Sequence, residues 1–244
     1  MKNYKIQVQY DGTRYNGWQR QGNTSNTIQQ RFENVLLEMC GAKVEIFASG
    51  RTDAGVHALC QTANFKCTVD LTAKEIKDYL NHYLPKDILV TSVEEAPDRF
   101  HSRLNAVSKT YEYRISTEKP DVFIRKYVYD CNLKPDVERM KQAACILVGT
   151  HDFKGFSSLG KTKKSTVRTI NNIDIAENNG IISIKINGNG FLYNMVRIIS
   201  GTLLEIGIGK FDDNIIERVF ETKSREMAGP TLPACGLRLV NVQY

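Results

Sequence analysis

"YKIQVQYDG", residues Tyr4 to Gly12, alternates Tyr4, Ile6, Val8 and Tyr10 with Lys5, Gln7 and Gln9 before Asp11-Gly12 closes the run. A period of two with one apolar face is a strand half-buried against a covering layer, and Asp-Gly is turn chemistry. The cover follows in the chain. Beyond a polar loop through Trp18 to Asn26, Thr27 and Gln30 have the spacing of a helix N-cap. Ile28, Phe32, Val35, Leu36 and Met39 fall on one face, and Gly41 stops the helix. Val44, Ile46 and Ala48 make a second strand, and "LCQTANFKC" (59–67) a third. Thr72 and Glu75 form a capping box for a helix ending near Tyr83, and "ILVTSVEEA" (88–96) is a fourth strand. The order is β-α-β-β-α-β.

From Ala106 the same rhythm returns. "SKTYEYRIS" (108–116) alternates Tyr111, Tyr113 and Ile115 against Glu112 and Arg114. A helix follows Pro135, with Val137, Met140, Ala144 and Leu147 on one side. "VRTINNIDIA" (167–176) and "IISIKING" (181–188) form a hairpin around Asn178-Asn179-Gly180. The helix near Leu192 to Ile206 is apolar on most sides and is therefore expected in the core. A shorter helix within "DDNIIERVFET" precedes the last strand, "GLRLVNVQY" (236–244). The sequence shows no repeat at fixed spacing. The expected class is α+β: two ferredoxin-like halves, 1–105 and 106–244, whose antiparallel sheets are covered by helices on one side.

The 244 residues suffice for one large domain or two compact halves. A hydrophobic share of 41% and a charged share of 25% are ordinary for a soluble protein. The net charge of +6 is compatible with a polyanionic partner but does not demand one. Cys40, Cys60, Cys67, Cys131, Cys145 and Cys235 form no CxxC pair, and most lie in apolar segments, so they read as reduced core residues. The first residues read directly as a strand, and no stretch is long enough to cross a bilayer; the expected compartment is the cytoplasm. No phosphate-binding loop, dinucleotide fingerprint, Ser-His-Asp order or metal-spaced cluster is present, so the expected chemistry uses no cofactor and no metal.

The chemistry-bearing stretch is "SGRTDAGVHA" (49–58), where Arg51 and Asp53 stand between glycines and His57 follows. An Asp after Thr in such a segment is a natural turn former, and it is equally a carboxylate held open for reaction. His57 reads as a hydrogen-bonded structural histidine ahead of a base. Arg197 interrupts the apolar "FLYNMVRIISGTLL" and demands a partner, either in a structural ion pair or in a cleft, with Asp53 a candidate. Tyr111 is either a boundary residue of its strand or a ring that stacks on a nucleobase. Lys154, Lys161, Lys163, Lys164 and Arg168 stand in a stretch without an acid, a solubilising face or a phosphate-binding loop. Arg99, Arg103, Lys109 and Arg114 make a second basic series.

"GRTDAGVHA" resembles the signature of the TruA family of tRNA pseudouridine synthases. So do "YDGTRYNGWQRQ" (10–21), "KTYEYRI", "GTHDFKGFSS", "NGNGFLYNMVRIISGTLLEIGIGK" and the terminal "GLRLVNVQY", in family order over essentially the whole chain. The resemblance implies isomerisation of uridine to pseudouridine at positions 38, 39 and 40 of the tRNA anticodon arm. It makes Asp53 the attacking carboxylate, Tyr111 the tyrosine stacked on the base and Arg197 the arginine paired with Asp53. Arg51 would hold the flipped nucleotide, and Leu237 would line the base pocket. Lys161, Lys163 and Lys164 would then touch phosphates. It also implies two ferredoxin-like halves joined in a central antiparallel sheet, a homodimer whose subunits share each tRNA, and no cofactor or metal. Two alternatives are a catalytically silent RNA-binding module and a small-molecule α+β enzyme with an incidental basic face.

Overall fold

The computed structural model describes residues 1–160 and 162–244; Lys161 lies outside the described residues. The chain forms two compact units, Met1–Val107 with Arg238–Tyr244, and Ser108–Leu237. The boundary expected between residues 105 and 106 thus falls between Val107 and Ser108. The last strand, expected with the second half, clusters with the first.

The first unit holds β1 (Lys2–Tyr10), α1 (Ile28–Cys40), β2 (Ile46–Ala48), β3 (His57–Cys67), α2 (Ala73–Tyr83) and β4 (Ile88–Ala96). It also takes all but the first residue of the chain's last strand, β10 (Leu237–Gln243). β1 runs between β4 and β3, antiparallel to both. β3's other edge is shared: β2 pairs antiparallel with Ala63 to Phe65, and β10 pairs parallel at His57 and Ala58. That last pairing is why the C-terminal residues belong here. Tyr4, Ile6, Val8 and Tyr10 are buried as their alternation required, with Ile28, Phe32, Leu36, Ile76 and Leu80 of the two helices. Each such side chain contributes about 1.5–3 kcal/mol of burial.

The helix ends follow local chemistry. Thr27 Oγ1 accepts the Gln30 N–H at 3.3 Å, and Gly41 closes α1 at φ 66°. Thr72 and Glu75 make a reciprocal capping box on α2, and the bonds from the Thr72 backbone and hydroxyl hold the Glu75 carboxyl below its usual range. One face departs from expectation. Gln29 and Glu33 are buried on α1, while Val35 and Met39 are only partly so. The polar pair is occupied: Gln29 Nε2 donates to Glu33 Oε1 at 2.7 Å, Gln29 Oε1 accepts the Arg20 N–H at 2.9 Å, and Glu33 Oε2 meets Arg20 Nη1 at 2.9 Å. Satisfied in this way, both side chains can be buried without the penalty of an orphaned polar group.

The second unit contains β5 (Ser108–Ser116), β6 (Tyr129–Asp130), α3 (Val137–Leu147), β7 (Gly149–Asp152), β8 (Val167–Asn178), β9 (Ile181–Gly188), α4 (Met195–Gly207) and α5 (Ile215–Thr222). Its sheet order is β5-β9-β8-β7, antiparallel throughout, with β6 added parallel to β5. Asn179 (φ 49°) and Gly180 (φ 70°) form the two-residue turn between β8 and β9. Both central residues at positive φ match the twist of an antiparallel pair. Nearly all of α4 is buried, and it begins at Met195, after the αL residue Asn194. A Cβ at Gly201 would sit 2.1 Å from the Pro230 carbonyl oxygen, so this glycine admits the close passage of the 228–232 segment. The α+β class with antiparallel sheets is the architecture of the chain.

Candidate active site

Residues 49–56 leave β2 and return into β3 as a loop gripped from two sides. On one side lies the segment after β1. Trp18 N–H donates to the Thr52 carbonyl at 3.0 Å, and Gly55 N–H donates to the Tyr15 carbonyl at 3.3 Å. This approach is close enough to require glycine. Gly17 has φ 88°, and a Cβ there would stand 2.5 Å from Thr52 O. The Asp53 carbonyl accepts the Val56 N–H at 3.1 Å, in a turn that Gly55 completes at φ 78°. Thr52 is buried, Asp53 half-buried and Arg51 exposed. Asp53 is both the turn former and a partly accessible carboxylate on fixed backbone.

The clamping segment is itself anchored. Tyr15 Oη donates to Asp87 Oδ1 at 2.6 Å, Arg14 Nη2 meets Asp87 Oδ2 at 2.6 Å, and Asp11 N–H donates to the Asp87 carbonyl at 2.9 Å. Trp18, 1% exposed, stacks on Phe32 at 6.0 Å between centroids. His57 is buried, and its Nδ1 accepts the Gly12 N–H at 3.1 Å, a structural role for this ring. Asp87 and Gln61 have no part in the sequence-based site. The signs of them in the sequence were polar residues within the strand "LCQTANF", Gln61 among Thr62 and Asn64, and an acid at the mouth of β4.

The second unit carries the other expected residues. Tyr111, on β5, is 7% exposed and meets Phe191 edge-on, with centroids 5.2 Å apart. Arg197 lies in the first turn of α4, half-buried. Its Nε donates to the Leu232 carbonyl at 2.6 Å and one terminal nitrogen to Asn194 Oδ1 at 2.8 Å. A carbonyl and an amide therefore occupy two of its donors. The segment approaching Leu237 is pinned residue by residue. Gly229 N–H donates to Thr202 Oγ1 at 2.9 Å, Tyr113 Oη donates to the Pro233 carbonyl at 2.7 Å, and Gly236 packs against the Tyr113 ring. Burial pushes the Tyr113 phenol well above its usual range, so it remains a donor at any physiological pH. Leu237 is buried at the end of this path.

Lys163 and Lys164 are exposed on the segment that precedes β8. Its feet are tied by Phe153 N–H to the Thr166 carbonyl at 3.1 Å and by Asp152. Asp152 Oδ1 accepts from Thr166 Oγ1 at 2.5 Å, and Asp152 Oδ2 meets Lys223 Nζ at 2.8 Å. Arg99, from the second basic series, lines an open cleft of about 370 Å³ in the first unit, with Lys43, Lys66, Phe47, Phe100 and His101. Among the described residues, no three His, Cys, Asp or Glu side chains are grouped to hold a metal ion, and no helix is long and apolar enough to cross a membrane.

A family model described as tRNA pseudouridine synthase matches residues 6–105 and 143–244. The chain is 50% identical to tRNA pseudouridine synthase A of Bacillus sp. (strain KSM-64) and 48% identical to tRNA pseudouridine synthase A 2 of Bacillus cereus (strain ZK / E33L). It is 49% identical to tRNA pseudouridine synthase A 1 of Clostridium tetani (strain Massachusetts / E88). Each match spans 100% of both chains. These likenesses define the class, an RNA-modifying isomerase. The chain belongs to the tRNA pseudouridine synthase family, and its activity is that of a tRNA pseudouridine synthase.

Proposed function

We propose that the enzyme converts uridine to pseudouridine at positions 38, 39 and 40 of the tRNA anticodon arm, with Asp53 as the nucleophile. The observation that carries this reading is the Asp53 loop itself: a half-buried carboxylate flanked by Thr52, whose carbonyl accepts the Trp18 N–H, and Gly55, whose N–H donates to the Tyr15 carbonyl, both ties to the glycine-containing segment 12–18. The reaction breaks the N1–C1′ bond, turns the uracil and joins C5 to C1′; the C5 hydrogen leaves as a proton and N1 gains one. A carboxylate that bonds to one fragment while the other rotates keeps the two from separating. Bringing the base out of the stem costs about a few kcal/mol in unstacking.

Arg197 pairs with Asp53 in this scheme and keeps it ionised. The Tyr111 ring stacks on the extruded base, Leu237 lines its pocket, and Arg51 holds the flipped nucleotide. Lys161, Lys163 and Lys164 bind phosphates and offset the unstacking cost. The enzyme works as a homodimer in the cytoplasm, without metal or organic cofactor, and the Asp53-bearing unit, Met1–Val107 with Arg238–Tyr244, and the unit Ser108–Leu237 act as two ferredoxin-like halves. Release of tritium from C5 of labelled uracil in tRNA tests the reaction. Tritium freed from transcripts whose only labelled uridines are at 38, 39 or 40 supports the assignment. Binding without release would leave an RNA-binding module, and release from other positions would displace the site specificity.

A further inference from the structure

Beneath the Asp53 loop lies a set of buried polar side chains that the reaction scheme does not use. Gln61, on β3 opposite Val8, is 0% exposed, as is Ser49; Thr52 and Tyr10 are also buried. Ser49 Oγ donates to Gln61 Oε1 at 2.7 Å, and Gln61 Nε2 donates to the Gly50 carbonyl at 2.9 Å. Tyr10 Oη lies 2.8 Å from Thr52 Oγ1. Burial pushes the Tyr10 phenol up to about 12, so the ring stays neutral and keeps its proton. Ser49 N–H donates to the Thr62 carbonyl at 2.8 Å. Residues 49, 50 and 52, the three positions leading to Arg51 and Asp53, are thereby each tied to β1 or β3.

We infer that Gln61 and Tyr10 are positioning residues for Asp53, Gln61 acting through Ser49 and Gly50 and Tyr10 through Thr52. The inference rests on the assignment of Asp53 as nucleophile. For Gln61 the chemistry asks for this residue type. A neutral amide accepts from one partner and donates to the next at the same time, which no apolar side chain does. A carboxylate in its place would face the Gly50 carbonyl with no proton to give. Gln61 is fully buried and so has no access to RNA; its effect is confined to where the loop stands. Geometry is the quantity at stake, because a misplacement of about 1 Å at a reacting group costs on the order of a hundredfold in rate.

Gln61→Leu and Tyr10→Phe test the two ends of the set, with Asp53→Asn beside them. For each protein, tRNA affinity, the single-turnover rate at saturating tRNA and the melting temperature are measured. The expected result is a fall of about tenfold or more in the saturating rate of Gln61→Leu, and a smaller fall for Tyr10→Phe. Affinity should hold within about threefold, since no phosphate contact is removed. The rate deficit should persist well below the melting temperature, where a purely structural defect leaves the folded fraction at full activity. Tyr10→Phe keeps shape and burial, so it reports even if Gln61→Leu does not fold. Wild-type saturating rates in folded Gln61→Leu or, failing that protein, in Tyr10→Phe, beside an inactive Asp53→Asn, overturn the inference alone. An active Asp53→Asn overturns the nucleophile assignment and, with it, the basis for this role of Gln61.

Discussion

The loop at residues 49–56 and the segment at 157–166 are both short, both glycine- and serine-bearing, and both carry charge, yet they are built on opposite principles. In the first, the backbone bonds reach outward to residues 15, 18 and 62, and a buried amide lies underneath. In the second, among the described residues, backbone N–H groups turn to side chains two residues away: Leu159 N–H to Ser157 Oγ, Lys164 N–H to Thr162 Oγ1, Val167 N–H to Ser165 Oγ. Tertiary ties grip its feet, through Asp152 and Thr166, and Ser158 N–H reaches the Tyr193 carbonyl at 3.1 Å. A reacting carboxylate works only within a fraction of an ångström, whereas attraction between a lysine and a phosphate falls slowly with distance. The contrast teaches which chemistry each segment can do.

Asp53→Asn should produce the largest effect. The amide keeps the shape but loses the nucleophile, so turnover should fall on the order of a thousandfold or more, with affinity for tRNA changed by no more than a few-fold. Single-turnover assays and equilibrium binding on the same preparation measure both. Substantial activity in freshly purified protein would remove the Asp53 loop from the centre of the comparison.

Gly17→Ala comes next. Its φ of 88° and the 2.5 Å approach to Thr52 O leave no room for a methyl, so either the clamp or the loop must move. The expected cost is about 1–3 kcal/mol of stability and a rate lowered roughly ten- to hundredfold, read by thermal melting and by turnover. A normal rate in Gly17→Ala would mean that the clamp does not set the position of Asp53.

The joint change of Lys161, Lys163 and Lys164 to Gln should act on the other segment and in the other way. Each lost phosphate contact should flatten the dependence of log K on log salt by about 0.7–0.9. The saturating rate should stay near the wild-type value, because uniform binding governs occupancy and not the barrier. A salt series of tRNA affinities, followed by rates with enzyme in excess, separates the two. An unchanged salt slope would take these lysines out of the RNA footprint, and a collapsed rate with intact affinity would erase the distinction between the segments.

Asp152→Asn should have the smallest effect. Burial tends to raise this carboxyl, but the bonds from Lys223, Thr166 and the Lys154 N–H outweigh it and hold it below its usual range. A carboxyl depressed in the folded state contributes stability above its unfolded pKa, about 3.9, which is lost as pH falls through the lower folded value. The variant should therefore melt earlier than wild type at pH 7, by on the order of 1 kcal/mol or less given the exposed lysine, and the two should converge once the pH falls below the depressed folded value. Melting curves at several pH values give the answer. A gap that persists at low pH would show that the Thr166 and Lys154 bonds, and not the charge, secure the feet.

Much of this was legible in the sequence because it is local. The alternation in Tyr4 to Tyr10 gave β1 and its buried face, Thr72 with Glu75 gave the start of α2, and Asn179-Gly180 gave a turn at positive φ. These depend on residues within one or two turns of each other. Asp53 stood out for a related reason: a carboxylate between glycines has an unusual local backbone whether it serves a turn or a reaction. The apolar face read for α1 left out Gln29 and Glu33, which are buried there. Periodicity assigns burial by polarity, and their burial depends on Arg20, which lies outside the helix.

What the sequence alone determined, then, is the succession of strands and helices, their caps and turns, and the identity of the segments that resemble one family. The tertiary structure decided the rest. Only in three dimensions does β10 return to pair with His57 and Ala58, the 12–18 segment press its glycines against Thr52 and Val56, and Gln61 take Ser49 and Gly50 as its two partners. The physical reason is the range of the interactions. Period, propensity and capping are settled between near neighbours, whereas a buried amide is tolerated only where distant parts of the chain bring a donor and an acceptor to it.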